Sequence, residues 1–121
     1  MTVDPRGEDI RRFRDEDDGG PVVMLNLLRF AGEPGRASYA QYAARIQPFL
    51  DAVGATVLYA GSCSTVLVAP DEHRWDALLV VRYPSRAAFL QMVGDPDYQS
   101  ITELRTAGLE AAVLQATTPW S

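Results

Sequence analysis

Two stretches of the chain are apolar at both odd and even positions, and they predict the centre of a β-sheet. The first is Pro21-Val-Val-Met-Leu-Asn-Leu-Leu-Arg-Phe30, in which the first polar side chain is Asn26. The second is Ala77-Leu-Leu-Val-Val81, within a strand predicted over residues 75–83. A strand covered on one face alternates in polarity, so such runs are typical of strands buried on both faces. Glycine and proline on both sides of the first run argue against a buried helix.

Helical spacing of apolar residues predicts two helical regions between the strands. Ser38 is the predicted N-cap of the first and opens a capping-box pattern, and Gly54 is its predicted stop. Residues 31–37, which hold glycines and a proline, are predicted to form a loop before it. Ser85 and the pair Asp95-Pro96 predict the starts of two short helical segments in the second region.

Two more strands complete the pattern. Residues 55–60 predict one of them, which is expected to bend at Gly61-Ser62 and to continue from Cys63 to Val68. Residues 109–116 predict the last. The order strand, helix, strand, strand, helix, strand is typical of an α+β ferredoxin-like sandwich, with two helices on one face of a four-stranded antiparallel sheet.

The second face of that sheet needs a cover, because the helices protect only one face while both central strands are apolar on both. Burying even ~400 Å² of apolar surface would stabilise an assembly by roughly 10 kcal/mol before association costs. We therefore expect a homodimer in which two sheets pack together into an α/β barrel.

Length and charge narrow the class of protein. The 121 residues predict one domain over residues 21–121, preceded by an N-terminal arm over residues 1–20. A net charge of −5 without a basic stripe argues against a nucleic-acid partner. No apolar run reaches the ~20 residues of a membrane helix, and the charged N-terminus is not typical of a signal peptide. With a single cysteine, these features predict a cytoplasmic protein without a membrane partner.

Strand parity groups the polar side chains. Asn26 shares a face with Met24, and Asp76 shares a face with Arg82. Because helices are expected on the purely apolar parities, we predict that Asn26, Asp76 and Arg82 lie together in the barrel interior. Two interpretations stay open. The three form a structural hydrogen-bonded network, or Asp76 is a catalytic base while Arg82 and Asn26 hold a substrate oxygen.

The remaining candidates have equally open roles. His73, the only histidine, is a solvated turn residue or a base at the barrel mouth. Met24, Tyr59 and Tyr98 bind the substrate or belong to the core. One histidine and one cysteine make no metal-ligand cluster, and phosphate-loop, catalytic-triad and dinucleotide motifs are missing from the sequence. We expect no metal and no cofactor, with haem bound through His73 as an alternative.

Three motifs resemble one known family. They are Gly20-Pro-Val-Val-Met-Leu-Asn-Leu-Leu-Arg-Phe30, Arg82-Tyr-Pro-Ser85 and Asp95-Pro-Asp-Tyr-Gln99. Over about residues 20–117 the chain resembles the DUF1330 family of the dimeric α/β-barrel superfamily. The resemblance implies the same dimeric barrel. Related branches include cofactor-independent monooxygenases of polyketide pathways, cyclases, lactone isomerases and haem enzymes.

Together, resemblance and residues give two hypotheses of function. The first is a small-molecule enzyme without a dissociable cofactor, which performs proton-transfer, cyclisation, isomerisation or oxygenation chemistry on an organic metabolite of secondary metabolism in the barrel cavity. The second is a non-catalytic homodimer that binds a hydrophobic metabolite. Polar residues inside an apolar sheet favour the enzyme, and the lack of a recognisable nucleophile–base pair favours the binder.

Overall fold

The computed structural model describes residues 3–120, and its elements follow the predicted order. The strands are β1 (Val22–Phe30), β2 (Thr56–Ser62), β3 (Ala77–Tyr83) and β4 (Leu109–Thr117). The helices are α1 (Gly7–Asp15), α2 (Gly32–Ala52), α3 (Arg86–Val93), α4 (Pro96–Gln99) and α5 (Thr102–Gly108).

The four strands form one antiparallel sheet in the order β2-β3-β1-β4, so the two apolar strands β1 and β3 are central. The core lies between this sheet and the helices. Its buried members include Val22, Met24, Val81 and Tyr83 from the sheet and Tyr42, Leu50, Phe89 and Met92 from the helices. The predicted α+β architecture with a four-stranded antiparallel sheet is confirmed.

The assignment of the sheet faces is corrected by the structure. Met24 is buried in the helix-facing core, so Asn26, two residues along, has the same parity. Asn26 lies opposite Leu79 in β3, whereas Arg82 has the other parity and is exposed. The prediction that Asn26, Asp76 and Arg82 share one interior cavity is therefore wrong. One amide on an otherwise apolar parity did not keep the helices from covering that face.

Helix α2 begins earlier than predicted. It starts at Gly32, whose φ of 66° suits glycine, and Pro34 and Gly35 lie in its first turn. Backbone N–H groups of a first turn have no intrahelical partner, so the proline costs no hydrogen bond there. The loop predicted at residues 31–37 and the capping role of Ser38 are both wrong. Ser38 lies inside the helix, and its Oγ donates a hydrogen bond to the Leu104 carbonyl over 2.7 Å.

The two later helix starts are confirmed. The Ser85 Oγ accepts a hydrogen bond from the Ala88 amide over 3.0 Å at the start of α3. The Asp95 carboxylate accepts one from the Asp97 amide over 2.8 Å at the start of α4, where Pro96 occupies the first helical position.

The predicted continuation of β2 from Cys63 to Val68 is wrong. Pairing of β2 with β3 ends where Ser62 lies opposite Ala77, and the Cys63 amide then donates to the Asp76 carbonyl over 2.9 Å. Beyond that point the chain turns away from β3 into a loop. Within the loop Val66, Leu67 and Val68 are 54%, 90% and 95% exposed.

The N-terminal helix α1 packs on the body of the fold. The Phe13 ring centroid lies 5.3 Å from that of Phe89 in α3, and the Arg86 guanidinium donates to the Phe13 carbonyl over 2.8 Å. Within residues 3–120, no helix combines the length and the hydropathy needed to cross a membrane.

Candidate functional site

A pocket of about 280 Å³ lies between the helices and the sheet. This is near the lower end of the range of small-molecule sites. Most of its lining is apolar, and the polar side chains that line it are Asp4, Asn26, Tyr39, Tyr42, Gln47, Tyr83, Tyr98 and Arg105. On its lining Gln47 of α2 and Ala60 of β2 are exposed, and Val57 is 39% exposed, so the pocket meets solvent between α2 and the edge strand.

Two phenols of the pocket are hydrogen-bonded to each other. The hydroxyl oxygens of Tyr42 in α2 and Tyr98 in α4 are 2.7 Å apart, and both residues are buried. The Tyr39 ring lies 5.4 Å from the Tyr42 ring, which extends the aromatic wall. Tyr39 and Tyr42, three residues apart on α2, thus lie on the same side of the pocket.

Burial keeps these phenols protonated. Removal from water raises the pKa of Tyr39, Tyr42, Tyr83 and Tyr98 above the ordinary value of 10.0. The nearby Arg105 guanidinium opposes part of that rise in the pKa of Tyr39, Tyr42 and Tyr98. At neutral pH the pocket therefore offers neutral O–H donors rather than phenolate bases.

Arg105 of α5 is a cation with only 8% of its surface exposed. Its guanidinium donates to the Val3 carbonyl and lies 3.4 Å from the Asp4 carboxylate. Asp4 also accepts a hydrogen bond from the Thr106 hydroxyl over 3.1 Å. A buried cation is costly unless it is paired, so the N-terminal segment supplies the partners that Arg105 requires.

A contact between two glycines sets the spacing of α2 and α5. A Cβ at Gly35 would lie 2.8 Å from the Gly108 carbonyl oxygen, and one at Gly108 would lie 2.9 Å from that of Gly35. The Ala31 amide donates to the same Gly108 carbonyl over 2.9 Å. Because neither glycine carries a side chain, the two backbones touch, and this brings Tyr39 and Arg105 to the same pocket.

Of the side chains predicted to bind or react, Asn26 and Tyr98 line this pocket. The Asn26 amide nitrogen lies 3.4 Å from the Met24 carbonyl of its own strand, a long hydrogen bond. Met24 itself is buried and lines a second cavity, of about 670 Å³, beside α1. Tyr59 is 58% exposed on the other face of the sheet, the face to which Arg82 belongs.

The two predicted bases lie away from the pocket lining. The Asp76 carboxylate accepts a hydrogen bond from the Phe30 amide, and its own amide donates to the Leu28 carbonyl, each over 2.8 Å. These contacts fasten the start of β3 to the end of β1. His73 is exposed in the loop before β3. The catalytic roles of Asp76, His73 and Asn26 and the binding roles of Arg82, Met24, Tyr59 and Tyr98 stay predictions.

Arg105 and Tyr42 were not singled out from the sequence as site residues. A signal for Arg105 exists, because it lies four residues after Ile101 and seven after Tyr98, both of which are buried. A charged residue at that spacing falls on the buried stripe of the helical region. Among the described residues, no group of three or more His, Cys, Asp or Glu side chains is arranged to hold a metal ion.

A four-stranded antiparallel sheet with helices packed on one face is typical of an α+β protein of ferredoxin-like fold. Within that class, the chain belongs to the family described as domain of unknown function DUF1330, whose sequence profile matches residues 35–117. The motif at residues 20–30 lies outside the matched range, while the other two motifs lie within it. No protein with a curated description matches the chain significantly.

Solved structures of similar fold include a protein of unknown function from Rhodopseudomonas palustris. It is 33% identical with a TM-score of 0.91, covering 99% of this chain and 98% of that one. SnoaB, a cofactor-independent oxygenase from Streptomyces nogalater, is 13% identical with a TM-score of 0.60, covering 85% and 96%. The hydroxynitrile lyase from Passiflora edulis is 13% identical with a TM-score of 0.63, covering 81% and 92%.

Some proteins of this fold are dimers. A dimeric ferredoxin-like protein from Thermobifida fusca is 13% identical, with a TM-score of 0.57 over 84% of this chain and 93% of that one. A likeness at this level of identity concerns the fold alone.

Proposed function

We propose that this protein is a small-molecule enzyme that works without a dissociable cofactor on an organic substrate held between the helices and the sheet. The observation that carries the proposal is the hydrogen-bonded pair Tyr42 and Tyr98 inside an otherwise apolar pocket. Two hydroxyls carry two protons, and only one of these is used between them. The other O–H is available to a substrate oxygen.

Fixed O–H donors favour reactions in which a substrate oxygen gains negative charge. Such donors stabilise an enolate or alkoxide strongly where water is excluded. Proton transfer next to a carbonyl, isomerisation and oxygenation all pass through charge of this kind. Because the phenols stay neutral, the proton that leaves the substrate passes to solvent, which meets the pocket between α2 and β2. The Asn26 amide, on the sheet side of the pocket, is a further donor to the same substrate. Two enzymes among the proteins of similar fold support this class, one of them a cofactor-independent oxygenase.

Hydrogen–deuterium exchange tests the proposal without a known substrate. In D₂O, the purified protein is incubated with a panel of ketones and β-diketones, and loss of the α-proton signal is followed by NMR. We expect exchange above the heat-denatured control with at least one member, a large loss of that rate in Tyr98→Phe, and an unchanged rate in the matched control Tyr59→Phe.

The second candidate, a binder without catalysis, is favoured by the absence of Asp76 and His73 from the pocket lining. It predicts that members of the same panel bind in the pocket but exchange no faster than in buffer. If compounds of the panel bind and none of them exchanges its α-proton faster than in buffer, the protein is a binder and the proposal of an enzyme is wrong.

We also propose that two copies pair through the open faces of their sheets. On that face β1 and β3 present Val23, Leu25, Leu27, Leu78 and Val80, all partly exposed. In the loop after β2, the apolar residues Val66, Leu67 and Val68 are exposed as well. An apolar surface of this kind on a monomer is typical of an interaction site. The barrel that results places the tyrosine pocket on the outer, helix-covered side of each sheet.

A further inference from the structure

We infer that the pocket takes a small organic carboxylate, whose carboxylate group binds Arg105 in place of Asp4. This rests on the proposed function for the pocket itself and adds the chemical class of its ligand. Arg105 is the buried cation that lines the pocket, and its planar guanidinium matches a carboxylate through two parallel hydrogen bonds.

Asp4, the charged partner of Arg105 in this structure, is one that a ligand carboxylate can replace. Asp4 comes from the N-terminal segment that precedes α1, and its side chain is 50% exposed while that of Arg105 is 10% exposed. Their nearest charged atoms are 3.4 Å apart, which is longer than the ~2.7–2.9 Å of a strong charge-assisted hydrogen bond. The segment thus supplies a half-exposed carboxylate, which the Thr106 hydroxyl also contacts over 3.1 Å, to a cation that is buried in α5.

The surroundings of Arg105 suit the remainder of such a ligand. Asp4 and Pro5 line the same pocket as the phenols, so a ligand carboxylate at Arg105 would extend its body toward Tyr39, Tyr42 and Tyr98. A volume of about 280 Å³ equals roughly nine waters of liquid volume, which fits a molecule of benzoate size. The body of the ligand is therefore apolar or aromatic.

Competition between Asp4 and the ligand has a measurable consequence. A site that is competent only while Asp4 is displaced shows an affinity reduced by the fraction of time it is free. Replacing Asp4 by Asn removes the competing charge but keeps the shape and a hydrogen-bond acceptor for Thr106. The apparent affinity for carboxylates should therefore rise in Asp4→Asn.

Calorimetric titration of the full chain with acetate, benzoate and phenylacetate, each against its amide, tests the inference. We expect at least one carboxylate to bind Asp4→Asn about tenfold more tightly than wild type, while its amide binds both proteins equally. Glu8→Gln is the matched control, because it removes a charge nearby, in the first turn of α1, at an exposed pair with Arg6. It should bind like wild type.

A second variant keeps the test decisive if one protein folds poorly. Arg105→Lys retains the charge but not the planar guanidinium that forms two parallel hydrogen bonds. It should lose most of the preference for carboxylate over amide. Three results overturn the inference. They are equal carboxylate affinity in wild type and Asp4→Asn, an equal gain in affinity for the amides, and no carboxylate binding to Asp4→Asn. Binding of the amides alone would leave the pocket and its proposed function standing, whereas no binding of either series contradicts both.

Discussion

Tyr42 and Tyr98 are hydrogen-bonded to each other inside the pocket, and this hydrogen bond determines which proton is left for a ligand. Their hydroxyls are 2.7 Å apart, and both residues are nearly inaccessible to water. A ligand oxygen that enters can accept the second O–H without breaking the existing hydrogen bond. The pair therefore serves as a donor that is already oriented before the substrate arrives.

Removing one member of the pair should lower stability. In Tyr42→Phe the Tyr98 hydroxyl remains buried without its partner, which costs about 1–3 kcal/mol. Urea unfolding measures the change. The control Tyr59→Phe alters a side chain that is 58% exposed and should leave the free energy of unfolding nearly unchanged. Equal stability of Tyr42→Phe and wild type would mean that water replaces the lost hydroxyl.

The raised pKa values of the phenols predict a loss of stability in alkali. The pKa of Tyr39, Tyr42, Tyr83 and Tyr98 lies above 10.0 in the folded protein. The unfolded chain therefore releases these protons first as the pH rises past about 10, while the folded protein keeps them. The free energy of unfolding should thus be insensitive to these groups below that pH and fall above it.

Each such tyrosine contributes at most about 1.4 kcal/mol per pH unit to this fall. Tyr83→Phe removes one of the four groups, so its stability should fall less steeply with pH than that of wild type. Urea unfolding of both proteins across the alkaline range gives the two slopes. Identical slopes would show that Tyr83 does not keep its proton in the folded state.

Capping side chains predicted the starts of two helices correctly, whereas the polarity of the strands did not predict which face of the sheet the helices cover. Ser85 and Asp95 mark their helix starts by side chains that accept backbone hydrogen bonds, and the structure confirms both. The start of α2 was misjudged because Pro34 and Gly35 break a helix interior but not a first turn. The sequence shows the residue types but not which turn of the helix holds them.

The sequence also did not indicate which face of the sheet the helices cover. Both parities of β1 and β3 are apolar, so only the single amide of Asn26 distinguishes them, and it lies on the helix side rather than on the predicted open side. The pocket itself depends on the approach of α5 to α2, which is a tertiary contact. No periodicity within either helix predicts that contact. Tyr98, predicted to bind the substrate or to belong to the core, lines the pocket, and its binding role stays a prediction.

The glycine contact between α2 and α5 should not tolerate a methyl group. A Cβ at Gly108 would lie 2.9 Å from the Gly35 carbonyl oxygen and 3.0 Å from Tyr39, so the helices must move apart. We expect Gly108→Ala to lose about 1–3 kcal/mol of stability.

Gly7→Ala is the matched control for that change. Its Cβ would meet only the Arg11 side chain at 3.7 Å in the first turn of α1, an ordinary contact. Its stability should change little or rise slightly, since alanine is the better helix former. Denaturation midpoints of the two variants provide the comparison, and equal stability of Gly108→Ala and wild type would contradict the close approach.

At the scale of the whole molecule, the proposed pairing of sheets predicts the oligomeric state. Light scattering at micromolar concentration should give about twice the monomer mass of 13.3 kDa. Leu25→Asp places a charge on the open face and should shift the mass toward that of the monomer. Ala44→Asp, on an exposed position of α2, should leave the mass unchanged. A wild-type mass near the monomer value across this range would contradict the barrel.

Small molecules are expected to bind between the helices and the sheet, beside Tyr42, Tyr98 and Arg105. Crystals of the protein soaked with the same ketones and carboxylates measure this directly, because they show where each compound lies. We predict electron density within hydrogen-bond distance of the Tyr42–Tyr98 pair. Compounds bound only on the opposite face, near Arg82 and Tyr59, would contradict binding between the helices and the sheet.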